Sequence, residues 1–270
     1  MKNMKRTRVT ITLKEDLLKN IDKLVDGTNI KNRSHAFEFL LARNFVCQRL
    51  NKAVILAGGE GVVTEGSNKK VSRILLPYQG KMFVEHIFEW LAKYGIGDIV
   101  ISAGALSSEI KDKIGDGSRF GVHVSYLSKD VGTASVLKYL ASIVDETFLM
   151  MNGDVLSDAD LGEMFNFHKK TGGSCTIGMT STKDPSSFGT IKMNGSQIID
   201  FVEKPEKGKE ESYLINAGIY IMEPEIYKMA YSSQLSLEKN FFPALAKAGR
   251  LFGYYFQGKW VHLDGDGITK

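Results

Sequence analysis

The chain has 270 residues, of which 43% are hydrophobic and 24% are charged, an ordinary globular composition with room for two cores. No apolar run reaches membrane-spanning length and the basic N-terminus lacks the apolar core of a signal peptide, so we expect a cytoplasmic protein with no membrane partner. Cys47 and Cys175 fall in different predicted domains without metal-ligand spacing, and we expect them to be reduced structural thiols.

Charge is distributed unevenly along the chain. Residues 1–50 hold 11 Lys and Arg against 5 Asp and Glu, a net charge of +6. The remaining 220 residues hold 24 against 26, a net charge of −2, so the total of +4 hides a basic head on a slightly acidic body. This asymmetry favours a polyanionic partner near the N-terminus.

The first predicted element is a strand at residues 6–13, RTRVTITL, in which polar and apolar side chains alternate strictly. Its open face carries Arg8, Thr10 and Thr12, which are all able to donate hydrogen bonds to base edges or phosphates. A strand this short requires a partner.

Two helices are predicted next. Gly27 ends the first helical run, and Ser34 is the expected N-cap of the second. Strand and helices together form too small a core for a monomer, so the pattern predicts a dimer with antiparallel paired strands and interlocked helices.

Residues 6–46 resemble the ribbon-helix-helix family of DNA-binding repressors. The resemblance implies an intertwined βαα dimer whose paired strands enter the major groove of double-stranded DNA. It also implies that Asn32, Arg33 and Ser34, at the start of the second helix, hold a phosphate. The alternative is a dimerisation module that never meets DNA.

From Lys52 onward the pattern changes to alternating strands and helices, which predicts a mostly parallel sheet covered on both faces. We therefore expect an α/β protein with two domains, residues 1–50 and residues 51–270. Ligands in such sheets bind outside the carboxyl ends of the strands, where LAGGEG and MNGD lie.

An ordered series of motifs resembles the sugar-1-phosphate nucleotidyltransferases, from about residue 52 to 265. The motifs are KAVILAGGEG, RILLPYQGKMFVEHIFEWL, VGTA, MNGDVLSD, FGTI, FVEKP and INAGIYIMEPEIY. The resemblance implies a Rossmann-like nucleotidyltransferase domain with a mixed, mostly parallel sheet. It also implies a reaction that joins a nucleoside triphosphate to a sugar 1-phosphate, assisted by Mg²⁺ and without an organic cofactor.

The resemblance assigns roles to individual residues. Nucleotide contacts would come from Ala57, Gly58, Gly59, Gly61, Arg73, Gly132 and Thr133. Contacts to the sugar and its phosphate would come from Glu203, Lys204, Asn216, Ala217 and Gly218. Asp154 would bind Mg²⁺, with His262 or Asp264 as a second ligand, depending on the register of the last strand.

The pattern departs from the family where the chemistry is expected. Val62 and Val63 stand where the family has Thr-Arg, and loss of a preorganised cation at a phosphoryl centre costs on the order of 10²-fold in rate. Arg73 replaces the family's lysine, which keeps the charge but changes its geometry. His262 stands where an aspartate is expected, and Mg²⁺ prefers oxygen ligands.

These departures favour a DNA-binding transcriptional regulator whose second domain binds a nucleotide or nucleotide sugar with little or no catalysis. The alternative is an active sugar-1-phosphate nucleotidyltransferase with a dimerising or autoregulatory head. The head predicts a homodimer, and a tetramer through the body is equally compatible. The sequence assigns no catalytic residue.

Overall fold

The computed structural model describes residues 10–28, 30–41, 50–58, 62–65, 69–129, 132–229, 236–264 and 267–269. The chain divides into two compact units, Met1–Arg49 and Leu50–Lys270. Arg8, Gly59 and Gly61 lie outside the described residues, as do the side chains of Val62, Val63 and Asp264.

The first unit contains two helices, α1 (Glu15–Asp22) and α2 (Arg33–Leu41). The guanidinium of Arg33 donates from Nε and Nη2 to the two carboxylate oxygens of Asp22, at 2.6 and 2.7 Å. This ion pair lowers the pKa of Asp22 and ties the start of α2 to the end of α1. Ile21 on α1 and Ala36 on α2 are buried.

The start of α2 differs from the sequence prediction. The helix begins at Arg33, so Ser34 lies inside it and is not the N-cap. Asn32 takes that role, because its Oδ1 accepts a hydrogen bond from the backbone N–H of His35 at 2.9 Å. Thr10 and Thr12 are exposed, and residues 10–14 carry no regular structure in the single copy. The strand predicted there needs a second copy and stays a prediction.

The second unit is an α/β fold. Its helices are α3 (Phe83–Lys93), α4 (Ser107–Ile114), α5 (Val136–Leu140), α6 (Leu161–Thr171) and α7 (Phe242–Lys247). Its strands are β1 (Lys52–Leu56), β2 (Val62–Glu65), β3 (Lys69–Ser72), β4 (Pro77–Tyr78), β5 (Lys81–Met82), β6 (Asp98–Ser102), β7 (His123–Leu127), β8 (Phe148–Asn152), β9 (Val155–Ser157), β10 (Cys175–Ser181), β11 (Gly189–Asn194), β12 (Gln197–Glu203), β13 (Leu214–Met222), β14 (Leu251–Tyr255), β15 (Trp260–Asp264) and β16 (Gly267–Thr269).

Nine of these strands form one mixed sheet in the order β10-β14-β12-β11-β13-β8-β1-β6-β7. Strands β7, β6, β1 and β8 are mutually parallel, as the alternation of strands and helices predicted. Beyond β8 the neighbours are antiparallel, apart from the parallel pair β10 and β14. The sheet is therefore less parallel than predicted, because β11 to β13 are joined by hairpin-like returns and not by helical crossovers.

Strand β1 shows why the parallel half is buried on both faces. Ala53 and Ile55 pack into the core beneath α3, whereas Val54 and Leu56 pack into the core beneath α5. A strand covered on both faces reads as a continuous apolar run, which KAVIL does. The carboxyl ends of β1 and β8 therefore lie side by side at the edge of a sheet that is buried on both faces. Among the described residues, no helix is both long and apolar enough to span a bilayer.

Candidate active site

Backbone hydrogen bonds join the carboxyl end of β1 to the ends of β8 and β6. The N–H of Gly153, just after β8, donates to the carbonyl of Leu56 at 2.8 Å, and the N–H of Ala57 donates to the carbonyl of Ser102, at the end of β6, at 2.7 Å. The buried hydroxyl of Ser72 donates to the carbonyl of Ala57 at 2.8 Å. The N–H and the carbonyl of Ala57 are therefore both hydrogen-bonded within the protein. Gly58 is the first residue after β1 whose backbone could contact a ligand.

Gly153 makes this arrangement possible. A Cβ at this position would lie 2.5 Å from a methyl group of Ile74 and 2.8 Å from the Leu56 carbonyl oxygen. A side chain would therefore push apart the end of β1, the end of β8 and the 3-10 turn Arg73–Leu75. Because Gly153 has no side chain, the turn that carries Arg73 can pack closely against the ends of β1 and β8.

Asp154 and Arg73 form a mostly buried ion pair at this edge. Nη1 of Arg73 donates to Oδ2 of Asp154 at 2.8 Å, and the two side chains are 14% and 10% exposed. Nε2 of His262 lies 3.7 Å from the same carboxylate oxygen. The structure thus brings together three residues that lie in separate sequence motifs. The carboxylate of Asp154 lies between the guanidinium of Arg73 and the imidazole of His262.

The register of β15 places His262 beside Asp154. The N–H of Leu263 donates to the backbone carbonyl of Asp154 at 2.9 Å, and His262 pairs with Val155 across the strands. The His262 ring stacks on Trp260 with centroids 6.0 Å apart, and Phe188 packs edge-on against both rings. These contacts fix the imidazole at the carboxylate. The side chain of Asp264 lies outside the described residues.

The Asn216–Gly218 segment forms an irregular point in β13. Gly218 has a positive φ of 71°, and its N–H donates to Oδ1 of Asn216 at 2.9 Å. Nδ2 of Asn216 donates to the buried hydroxyl of Tyr220 at 2.9 Å, and the indole N–H of Trp260 donates to the carbonyl of Ala217 at 3.0 Å. The segment is rigid, and its polar groups are largely used in holding β13 and β15 together.

Glu203 and Lys204 lie at the end of β12. Lys204 is exposed and has a φ of 44°, a left-handed conformation that is uncommon outside glycine. Its N–H donates to the carbonyl of Phe188 at 3.2 Å. Such strain clusters at functional sites, and here it lies in the turn that directly follows β12.

Gly132 and Thr133 lie immediately before α5. The Gly132 carbonyl accepts from the N–H of Ser135 at 2.8 Å, in a turn that leads into the helix. The Thr133 hydroxyl accepts from the N–H of Leu237 at 3.0 Å and donates to Glu238 at 3.4 Å. Thr133 therefore connects the predicted nucleotide loop to a distant segment.

Four residues at this edge were missed by the sequence reasoning. Ser72, Trp260, Tyr220 and Glu238 each bond to a predicted site residue. A serine N-cap at Ser236 was a usable signal for the turn that carries Glu238. No local pattern marks the other three, because their partners are distant in sequence.

Asp154 is the side chain at this edge that is suited to binding Mg²⁺. The described residues contain no group of three or more His, Cys, Asp or Glu side chains that could hold a metal ion by themselves. Mg²⁺ in phosphate-transfer sites is commonly held by one or two carboxylates together with substrate phosphates and water. Asp154 meets that requirement, whereas the imidazole of His262 is a poor ligand for Mg²⁺.

Comparison with known proteins identifies relatives of the second unit. Residues 52–263 match the family described as Nucleotidyl transferase. A mannose-1-phosphate guanylyltransferase catalytic subunit beta from Xenopus tropicalis is 30% identical over 220 residues, covering 78% of this chain and 61% of the relative. A mannose-1-phosphate guanyltransferase from Aspergillus oryzae is 33% identical over 222 residues, covering 78% and 60%. The chain thus spans about three-fifths of the length of these relatives.

Solved structures agree on the fold. HddC from Yersinia pseudotuberculosis matches with a TM-score of 0.68 at 20% identity, covering 79% of this chain and 94% of that chain. The same protein complexed with GMP-PN matches with a TM-score of 0.67. This likeness supports the mixed α/β nucleotidyltransferase fold of the second unit.

These findings correct the functional interpretation favoured by the sequence. A DNA-binding regulator with little or no catalysis is wrong, because the relatives that match most of the chain are named as guanylyltransferases. The findings give no support to duplex DNA as a partner, and the family match begins at residue 52, beyond the predicted ribbon-helix-helix segment. With the family matched across residues 52–263 and its strand-end motifs assembled around Arg73 and Asp154, the chain belongs to the nucleotidyl transferase family.

Proposed function

We propose that this protein is an active sugar-1-phosphate nucleotidyltransferase, which converts a nucleoside triphosphate and a sugar 1-phosphate into a nucleotide sugar and pyrophosphate. The names of its relatives make GTP and mannose 1-phosphate the first pair to test. The observation that carries the proposal is the Arg73–Asp154 ion pair at the carboxyl ends of the parallel strands, where α/β sheets bind their ligands.

The reaction places its main demand on charge. A phosphate oxygen of the sugar 1-phosphate attacks the α-phosphorus, and the bond from that phosphorus to the bridging oxygen breaks, so that pyrophosphate leaves with the electron pair. Negative charge spreads over the phosphoryl oxygens, and the protein contributes by positioning and by stabilising that charge.

Arg73 is the described cation best placed for this task. Its side chain is only 14% exposed, and its Nη1 lies 2.8 Å from Oδ2 of Asp154, which orients the guanidinium. A planar guanidinium offers several donors to phosphate oxygens, whereas a lysine offers a point charge. We infer that Arg73 contacts the triphosphate. Its positive charge would replace part of the positive charge that the family's arginine supplies at the position of Val63.

We propose that, among the residues that the structure describes, Asp154 is the one side chain that binds Mg²⁺. Asp154 would hold Mg²⁺ together with phosphate oxygens of the substrate, and the bound ion would offset negative charge on those phosphates. Lys204, in the strained turn that follows β12, would then meet the phosphate of the sugar.

The direct test is pyrophosphate release from purified protein with GTP, ATP, UTP, CTP or dTTP, each combined with mannose 1-phosphate or glucose 1-phosphate in the presence of Mg²⁺. We expect turnover with at least one pair and highest kcat/KM with GTP and mannose 1-phosphate. Absence of pyrophosphate release from every pair, in protein that is folded by circular dichroism, would contradict the proposal.

We also propose that residues 10–41 mediate homodimerisation. Ile11, Leu17 and Leu24 are 55%, 53% and 36% exposed in the single copy. A unit this small cannot bury a sufficient core alone, and a second copy would cover these side chains.

A further inference from the structure

The hydroxyl group of Thr133 is hydrogen-bonded to a turn that lies far away in the sequence. Its Oγ1 accepts from the backbone N–H of Leu237 at 3.0 Å and donates to Oε2 of Glu238 at 3.4 Å. These partners lie 104 and 105 residues further along the chain. A threonine hydroxyl has a single proton to donate, and here that proton is directed to Glu238. The side chain of Thr133 therefore serves a tertiary contact within the protein.

The turn that receives this hydroxyl is held in shape by its own side chains. Ser236 is the N-cap of the π-helical turn Leu237–Phe241, and its Oγ accepts from the N–H groups of Glu238 and Lys239, both at 3.2 Å. The same Oγ donates to Oε2 of Glu238 at 2.7 Å. The N–H of Ser236 donates to Oδ1 of Asn240 at 3.1 Å. Backbone donors at the start of the turn are thus satisfied before any ligand binds.

Two phenylalanines anchor the turn in the core. Phe241 and Phe242 are almost completely buried. The ring of Phe242 packs against Phe201 on β12 and Tyr220 on β13, with ring centroids 5.4 and 5.0 Å apart. The residues proposed to contact the sugar and its phosphate lie in or directly after the same two strands. The turn therefore connects the loop before α5 to the strands that carry the other half of the proposed site.

We propose that the turn Ser236–Phe241 positions the nucleotide loop, by holding Gly132 and Thr133 through the Thr133 hydroxyl. Glu238 and Ser236 are then positioning residues that act through Thr133. The hydroxyl of Thr133 fixes the backbone of the loop and is not itself a contact to the nucleotide. The inference rests on the proposed function, since it explains how one loop of that site is held. A loop that is already in place binds more tightly than one that must first be ordered.

The test compares Glu238→Ala with Glu238→Gln in pyrophosphate release from GTP and mannose 1-phosphate. Alanine removes the acceptor that Thr133 and Ser236 share, whereas the glutamine amide keeps an oxygen that can accept from both hydroxyls. Because binding must then order the loop, we expect Glu238→Ala to raise KM for GTP about tenfold and to change KM for mannose 1-phosphate by less than about twofold. Glu238→Gln should keep both constants near those of the wild type.

Thr133→Val breaks the same contact from the other side. It should raise KM for GTP by a similar factor, whereas Thr133→Ser, which keeps the hydroxyl, should not. Combined with Glu238→Ala it should add little, because both substitutions remove one interaction. The matched control is Thr171→Val, which removes a partly buried hydroxyl that donates to the His168 carbonyl at 2.9 Å within α6 and should leave KM for GTP unchanged. Equal increases in KM for both substrates, or fully additive effects, would overturn the proposal.

Hydrogen exchange and nucleotide binding separate this inference from the activity. The N–H groups of Ser135 and Val136 donate to the Gly132 carbonyl at 2.8 and 3.3 Å, so their exchange reports whether the loop is held. Without ligand, these amides should exchange faster in Glu238→Ala than in Glu238→Gln or the wild type, and calorimetry should show weaker binding of GTP.

If the wild type releases no pyrophosphate from any substrate pair, the proposed function fails. Faster exchange together with weaker GTP binding in Glu238→Ala would still support the positioning of the loop. Unchanged exchange in Glu238→Ala would overturn it, and so would a wild type that binds none of GTP, ATP, UTP, CTP and dTTP.

Discussion

Individual charged residues at the strand ends carry the proposed chemistry. Asp154 and Arg73 are mostly buried and bonded at 2.8 Å, so each compensates the desolvated charge of the other. His262 lies 3.7 Å from the same carboxylate oxygen. A single substitution therefore alters both the local charge balance and the geometry that a phosphate would meet.

Arg73→Met should lower kcat/KM for pyrophosphate release by on the order of 10²-fold, because it removes the oriented cation. Arg73→Lys should lose less, since it keeps the charge without the planar fork. Arg119→Met, which removes an arginine stacked on Phe120 away from this edge, is the control and should retain full activity. Equal activity of Arg73→Met and the wild type would exclude Arg73 from phosphate binding.

Val63→Arg restores the cation that the family carries after its glycine-rich turn. Val63 pairs with Val71 in the β2–β3 hairpin. We expect kcat to increase by about tenfold or more, measured by pyrophosphate release at saturating substrates. Val62→Arg, one residue away on the opposite strand face, should give no such gain.

At the scale of secondary structure elements, the kink of β13 and the packing of α6 are the informative features. The kink aims Asn216 at Tyr220 and places the Ala217 carbonyl against Trp260. Helix α6 buries His168, whose Nδ1 lies 2.8 Å from Thr176 Oγ1 and whose Nε2 lies 3.2 Å from Glu223 Oε1. Both features stabilise the second unit by contacts remote in sequence.

Gly218→Ala should destabilise the protein more than Gly172→Ala. The two glycines have a φ of 71° and 65°, but a Cβ at Gly218 would lie 3.0 Å from Val155 and 3.1 Å from Asn152, whereas a Cβ at Gly172 would meet nothing within 4 Å. A left-handed φ costs an alanine about 1–2 kcal/mol, and crowding at Gly218 should add about a further 1 kcal/mol or more. Urea unfolding of the two variants measures the difference, and equal losses would show that β13 relaxes around the added methyl.

His168 should make stability depend on pH. Burial lowers the pKa of His168, although the neighbouring Glu223 carboxylate acts in the opposite direction. The unfolded chain takes up this proton near pH 6.5 and the folded chain only at lower pH, so the free energy of unfolding should decrease as the pH falls below about 6.5. His168→Gln should flatten this dependence between pH 5 and 7.5, as urea unfolding of the variant and the wild type at several pH values would show.

The parallel half of the sheet could be predicted from the sequence because its signals are local. Apolar runs such as KAVIL, the helix that became α3 and the glycines after β1 and β8 fix the elements and the edge at which they end. The antiparallel half could not be predicted in this way, because β11, β12 and β13 pair through contacts that depend on hairpin geometry.

The site could be predicted only in outline for the same reason. Arg73, Asp154 and His262 were named from separate motifs, and the structure adds the distances that join them. The N-cap of α2 could not be predicted either, because Asn32 and Ser34 are both good capping residues and only the structure shows that Asn32 accepts from the N–H of His35. What Val62 and Val63 do to catalysis stays a prediction, because the effect of one missing cation depends on the other charges around the substrate and no sequence pattern gives those.

For the whole molecule, the relevant fact is the division into two units, Met1–Arg49 and Leu50–Lys270. The first carries exposed apolar side chains on a basic segment, and the second carries the family fold. Homodimerisation through the first unit would present two second units per assembly without any change in the site.

Leu17→Glu should shift the full-length protein toward monomer, because it would place a charge in the apolar contact proposed between copies. Light scattering coupled to size-exclusion chromatography at several concentrations measures the mass. Ile143→Glu, at an apolar residue in the second unit that is 41% exposed, is the matched control and should leave the mass unchanged. A wild-type protein that is monomeric at all concentrations would contradict the proposed dimer.

The stacking of Trp260 on His262 gives the site an optical signal of its own. The indole and imidazole planes are inclined by 9°, and the imidazole lies beside Asp154. Indole emission depends on the groups packed against the ring, so the fluorescence of Trp260 should change when a bound molecule moves the His262 imidazole. Trp90, buried in α3, supplies a steady background, and any molecule that engages the carboxylate can therefore be titrated by native tryptophan emission, with no attached dye.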